Sequence, residues 1–352
     1  MVIKRLHLSS IILLFAYLLS CNSTSPPVIT KSSVDVPTDA LLQAISYVDN
    51  KTIWVSGHKA TFARTTDGGE SWDLFTHPSD TLQFRDLHAF SEDHVLLMSA
   101  GTGKLSRIMH FFVNENLWLE SYAMADEEGF LNTIEFWDND SVGLAFGDSY
   151  QERMFILKTS DGGEHWNRMN PKTLPKPGKG EGGFAASGTC ISTLPGGIAF
   201  IGTGAGGNSR ILTTYDYGST WAVKDGPLPT GEMAGIFSIS MLNEQIGMVV
   251  GGDLSKPSEY LNNVAITKNG GSSWEPGRQT ITKGTFYGSD LLMWKDNPFI
   301  IATGPQGIDY SHDWGQSWNN LDSGNFWCVK MHPSGYGLAT GADGKILKIE
   351  IN

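Results

Sequence analysis

Cysteine is scarce, with three in 352 residues, and that excludes a disulfide framework. Charge is sparse too: 18% of residues are charged, and 25 basic residues face 37 acidic ones, a formal charge of −12. An acidic balance argues against nonspecific nucleic-acid binding. Beyond the N-terminal stretch no apolar run is long enough to span a bilayer. No His, Cys and Asp set has metal-ligand spacing, and no cofactor or metal is expected. Glycine and tryptophan are abundant instead, at 41 and 11. They fit many short strands joined by tight turns, and a chain 40% hydrophobic has ample material for a large core.

One unit organises the chain. Thr65-Thr66-Asp67-Gly68-Gly69-Glu70-Ser71-Trp72 returns around Asp161 and Trp166, Asp216 and Trp221, Asn269 and Trp274, and Asp313 and Trp318. The shared pattern is Ser/Thr-x-Asp-x-Gly-x-x-Trp, and it reads as a hairpin turn. The Asp accepts hydrogen bonds from N–H groups of its own turn. The Gly two residues on permits a positive φ. The Trp starts the next strand and packs inward, which is worth roughly 1.5–3 kcal/mol or more. Asn269 keeps the acceptor oxygen, so that copy is expected to survive. These residues are structural, not catalytic.

The pattern resembles the Asp-box, or bacterial neuraminidase repeat. It occurs in sialidases, sortilin-type receptors, xyloglucan hydrolases and photosystem II stability/assembly factors. The resemblance implies an all-β propeller of four-stranded antiparallel blades, with each box between a third and a fourth strand. The boxes leave a double gap between Trp72 and Trp166, which Trp118 fills without its Asp and Gly; spacings then run from 44 to 55 residues. Residues 326–331, 336–340 and 345–351 read as three more strands, and residues 28–36 can supply the fourth. Pairing of the termini would close the ring and remove sheet edges. Seven blades are expected, with six the alternative.

Ahead of the propeller, Lys4 and Arg5 precede a short apolar run. It ends Leu18-Leu19-Ser20-Cys21, which resembles the lipobox of bacterial lipoproteins. The expected organisation is a signal peptide over residues 1–20, a tether lipidated at Cys21 with the closing strand over 21–39, and the propeller over 40–352. Lipidation implies a bacterial cell envelope, at a periplasm-facing outer membrane. Cys190 and Cys328 fall in blades three apart, beyond disulfide reach, and are expected to be free and buried.

Phe84, Phe130, Phe184, Phe237, Phe286 and Phe326 begin the innermost strands. The face carrying those strand starts also carries the longest insertions, at residues 170–183, 225–235 and 253–263, and loops on a rigid scaffold concentrate binding residues. On it lie Arg85, Arg107, Arg153, Arg210, Asp148, Glu181, Glu232 and Asp253. The arginines either recognise carboxylate or phosphate on a partner or pair with acidic residues of neighbouring blades. The run of Gly202, Gly204 and Gly207 matches a dinucleotide fingerprint, but a strand and not a helix should follow it.

The sialidase resemblance stops at the boxes. Arg64 is followed by Thr65, Phe84-Arg85-Asp86 lacks the Ile-Pro, and Tyr287 has no paired Glu as a nucleophile would need. The spread of the repeat over the mature chain looks most like the photosystem II assembly-factor propellers, which are non-enzymatic binders of membrane-protein intermediates. That resemblance implies a monomeric scaffold for a membrane or envelope protein. The alternative is a glycan-binding or glycan-hydrolysing envelope protein.

Overall fold

A computed structural model describes residues 27–352 apart from Leu261. Residues 1–20, expected to be a signal peptide, and Cys21, expected to be lipidated, lie outside the described residues. Seven four-stranded antiparallel sheets are arranged as seven blades. Their innermost strands are Leu42–Tyr47, Phe84–Ala89, Leu131–Phe136, Ile191–Leu194, Ala234–Met241, Gly288–Trp294 and Phe326–Met331. In blades 1 to 6 the chain meanders from the innermost strand outwards.

Blade 7 is built from both ends of the chain. Its outermost strand is Ile29–Asp35, paired antiparallel with Lys345–Ile351 from Ile29 opposite Ile351 to Asp35 opposite Lys345. Lys31 reaches across to Asp322 of blade 6 at 2.6 Å. Among the described residues no helix is long and apolar enough to cross a membrane.

The strands alternate, and what they bury they bury against the next blade. Leu96 and Met98 of blade 2 pack with Leu131, Phe136 and Trp166 of blade 3. Ile53 and Val55 of blade 1 pack with Leu338 and Ile346 of blade 7. Cys190 and Cys328 are buried and free. Trp118 lies in Leu117–Ala123, the outermost strand of blade 2, and stacks on Phe84 at 6.0 Å within a cluster that also holds Trp54, Phe62 and Phe111. That aromatic packing stands where blades 1 and 3 to 6 have a pinned turn.

The five repeated turns do sit between third and fourth strands, and the Ser or Thr proves as important as the Asp. Thr65 Oγ1 donates to Asp67 Oδ1 at 2.7 Å and accepts from Gly69 N at 2.9 Å. Asp67 also accepts from Glu70 N, Ser71 N and the Ser71 hydroxyl at 2.6–3.0 Å. Thr159, Thr214, Thr267 and Ser311 repeat the first pair of bonds. Each turn has two residues at positive φ, not one. Tyr217 (φ 57°) and Trp314 (φ 59°) occupy the first of these where other copies have glycine. A left-handed non-glycine costs about 1–2 kcal/mol, offset at Tyr217 by packing on Trp137 at 5.1 Å.

The turns also clasp the preceding blade. Tyr336 donates to Gly68 O at 3.0 Å, His110 Nε2 to Gly163 O at 3.0 Å, and Lys158 to Tyr217 O at 2.6 Å.

Hydrogen bonds from Ser71 and then Thr65 hold the Asp67 carboxyl well below the usual carboxylate range. Asn269 makes the equivalent bonds as an amide, accepting from Thr267 at 3.1 Å and from Ser273 N at 2.8 Å. Asp67→Ala should therefore cost about 0.5–1.5 kcal/mol in urea unfolding, the net worth of a hydrogen bond whose donors water can reach, whereas Asp67→Asn should cost clearly less. Equal losses would contradict the acceptor role.

Candidate functional site

In blades 1, 2, 3, 5 and 7 the innermost strand slips register with its neighbour at one common level. The slips fall between Leu42 and Ala44, Phe84 and Asp86, Leu131 and Thr133, Ile236 and Ser238, and Phe326 and Cys328. Each is a β-bulge, which inserts one residue and re-aims its side chain. The extra residues are Gln43, Arg85, Asn132, Phe237 and Trp327. Four of them, all but Gln43, line a single cavity of about 320 Å³ on the propeller axis. In blades 4 and 6 the strand starts later, and Ala186 and Tyr287 in the segments that lead into it line the same cavity. Gln43 is fully buried and donates to Ala186 O at 3.1 Å.

The cavity has two unlike walls. Phe184 stacks on Phe237 at 3.7 Å, Phe237 on Tyr287 at 5.4 Å, and Tyr287 meets Trp327 edge-on at 4.7 Å. This aromatic arc spans blades 4 to 7. Opposite stand Arg85, Asn132 and Asp148. Asp148 Oδ1 accepts from Asn132 Nδ2 at 2.8 Å and from Gly183 N at 3.2 Å. Burial raises the Asp148 pKa against these two bonds. Arg85 gives its hydrogen bonds to Gln83 Oε1 and Ala185 O, at 2.5–3.2 Å, and pairs with no carboxylate among the described residues. Burial lowers the Arg85 pKa and raises that of Tyr287. A half-buried cation facing an aromatic arc can hold a group that is apolar at one end and anionic at the other.

The arginines of the sequence reading do not form one surface. Arg107 is engaged by Glu120 of its own blade at 2.9 Å. Arg210 grips Glu181 through two bonds of 2.5 and 2.9 Å, and Thr203 adds a third at 2.7 Å. Glu181, 2% exposed, is thus held within blade 4 and its lead-in, not across to a neighbouring blade. Arg153 is exposed and takes part in no ion pair among the described residues. Glu232 is exposed, and Asp253 caps Ser255 at 2.6 and 2.9 Å. Of the eight, only Arg85 and Asp148 come together in the cavity.

The ring of phenylalanines also divides. Phe84 and Phe326 precede their bulges and pack into the core, while Phe237 occupies one and lines the cavity wall, itself only 2% exposed. Asn132, Phe237 and Trp327 are not legible as cavity-lining residues in the sequence, because alternation does not display a one-residue slip.

The glycine run serves close packing. Gly182 and Gly204 exchange hydrogen bonds of 3.0 Å, and a Cβ on Gly204 would lie 2.6 Å from the Phe184 ring. The strand Arg210–Thr214 follows it. Away from the axis, Asp161, Glu164 and His165 bring one ligand atom each within 4.8 Å of one another, all exposed, and Asp161 is already engaged by its own turn.

No family model and no curated protein matches the chain. Solved structures do. "YCF48 bound to D1 peptide" aligns with a TM-score of 0.62 at 16% identity, covering 92% of this chain and 97% of that one. YCF48 from Cyanidioschyzon merolae gives 0.63 at 16% identity, covering 91% and 98%. The chain shares their fold. At this identity the likeness is one of architecture, a seven-bladed propeller of four-stranded antiparallel sheets.

Beside the cavity, burial and then the charge of Arg85 depress the His58 pKa to about 4. His58 is thus neutral in the folded protein, while its unfolded value is about 6.5. The stability it contributes is complete above pH 6.5 and is lost as pH falls towards 4. The melting temperature should fall between pH 6.5 and 4, and His58→Gln should flatten that fall. An unchanged profile would exclude His58 as a source of it.

Proposed function

We propose that this chain is a membrane-anchored, non-enzymatic scaffold that binds a segment of a membrane or envelope protein in its axial mouth. The observation that carries this reading is the convergence of bulge residues, Arg85 and Asn132 on one side and Phe237 and Trp327 on the other. The mouth suits a peptide that offers an apolar side chain to the arc and a carboxylate to Arg85. The fold neighbour whose structure holds a D1 peptide supports a protein ligand for this propeller. Anchoring at Cys21, the Asp-box kinship and a periplasm-facing location belong to the same proposal and rest on the sequence motifs alone. Hydrolysis of a glycan by paired carboxylates needs two of them across the bond. Asp148 is the one carboxylate lining this cavity among the described residues.

Affinity capture from native membranes tests the reading. A membrane protein recovered by the wild type should be recovered at least tenfold less well by Arg85→Ala and by Tyr287→Ala. Arg107→Ala should behave as wild type, since that side chain is engaged by Glu120. Recovery indifferent to Arg85 and Tyr287 would contradict the proposal. Binding to a glycan array that is lost in the same variants would favour the glycan alternative.

A further inference from the structure

A second concave surface lies between blades 2 and 3, far from the axial residues in the fold. It is a groove of about 660 Å³, twice the size of the axial cavity. Its floor is apolar and aromatic. His94 stacks on Phe112 at 4.2 Å and on Phe90 at 4.6 Å, and its Nε2 shares a hydrogen bond of 2.9 Å with His110 Nδ1. Burial and then His110 depress the His94 pKa to about 4, so the floor is uncharged at neutral pH.

The rim is acidic, formed by Glu120, Asp140, Asp161 and Glu164. Arg107 offsets Glu120, while histidines face two others, His88 on Asp140 at 3.0 Å and His165 on Asp161 at 2.8 Å. Glu164 is exposed and takes part in no ion pair among the described residues.

Along one side runs Leu117–Ala123, the edge strand of blade 2, seven residues long where the outer strands of blades 1 and 3 to 6 have two to four. Leu117 and Leu119 on it are 41% and 48% exposed. An exposed strand edge of that length offers unpaired N–H and C=O groups to an incoming strand.

We propose that this groove docks an extended segment of a partner protein in which lysine or arginine alternates with aliphatic residues. The aliphatic side chains would cover Leu119, Phe90 and Phe112. The cations would meet the rim carboxylates, and complementary charge of this kind sets specificity and association rate. The surface is separate from the axial mouth, and neither proposal depends on the other.

The test is fluorescence anisotropy on the folded protein with a labelled, amidated peptide that alternates lysine with leucine. Its counterpart carries glutamate in place of lysine. Affinity for the lysine peptide should fall at least tenfold in 0.5 M salt and at least tenfold in an Asp140→Asn, Glu164→Gln variant. Asp140 has φ 52°, which asparagine also accepts, so the variant should fold. Leu119→Ser should weaken binding as well, and Arg85→Ala should leave it unchanged. No binding, equal binding of the glutamate peptide, or indifference to the charge variant would overturn the proposal. So would self-association of the protein that is lost in Leu119→Ser without any peptide binding, since a second copy would then be the occupant.

Discussion

Each hydrophobic cluster is shared between two neighbouring blades, and the seven clusters run once around the ring. A four-stranded sheet here does not cover both its faces by itself. Burial of these side chains, at roughly 25 cal/mol per Å² of apolar surface, is collected only when every blade has both neighbours. Closure is therefore the constraint on which the rest depends, and pairing of Ile29–Asp35 with Lys345–Ile351 supplies it. The repeated turns serve the same end, because each offers a backbone carbonyl or a Trp ring to the blade before it.

A closed ring leaves an axis lined by seven innermost strands, and the axis is where departures from regularity collect. Five bulges at one level turn side chains inward that a regular strand would keep in its pleat. The result is a mouth in which Arg85, Asn132, Phe237 and Trp327 sit on strands, while Phe184 and Tyr287 come from the segments that lead into blades 4 and 6. Its cation is unspent for a local reason: the nearest polar groups to Arg85 are an amide and a carbonyl. Arg107 and Arg210 each have a glutamate in reach and take it.

The architecture was legible because it is written in periodic, local chemistry. Trp72, Trp166, Trp221, Trp274 and Trp318 fix the blade spacing, and the three strands after residue 325 demand a fourth from the N-terminus. The two buried thiols followed from that count. The site was only half legible. Arg85 and Asp148, expected on that face, do line the axial cavity, but a bulge is a one-residue slip, and Phe237 and Trp327 look in sequence like further core aromatics. Charge pairing is shorter in range than the spacing of the blades suggests. Glu120 reaches Arg107 from the adjacent strand, and Glu181 reaches Arg210 from its own blade's lead-in. Blade-to-blade pairing of those arginines, the geometry weighed from the sequence, is not what the fold provides.

The most direct measurement of the central claim is site-specific photo-crosslinking in the native membrane. Tyr287 on the axial arc would be replaced by a benzophenone-bearing phenylalanine, and Val223 on an outer strand would carry the same group as the reference. The expected result is a covalent adduct with one membrane protein from position 287 and none from position 223. Adducts of equal yield from both positions, or from 223 alone, would contradict a partner seated in the mouth.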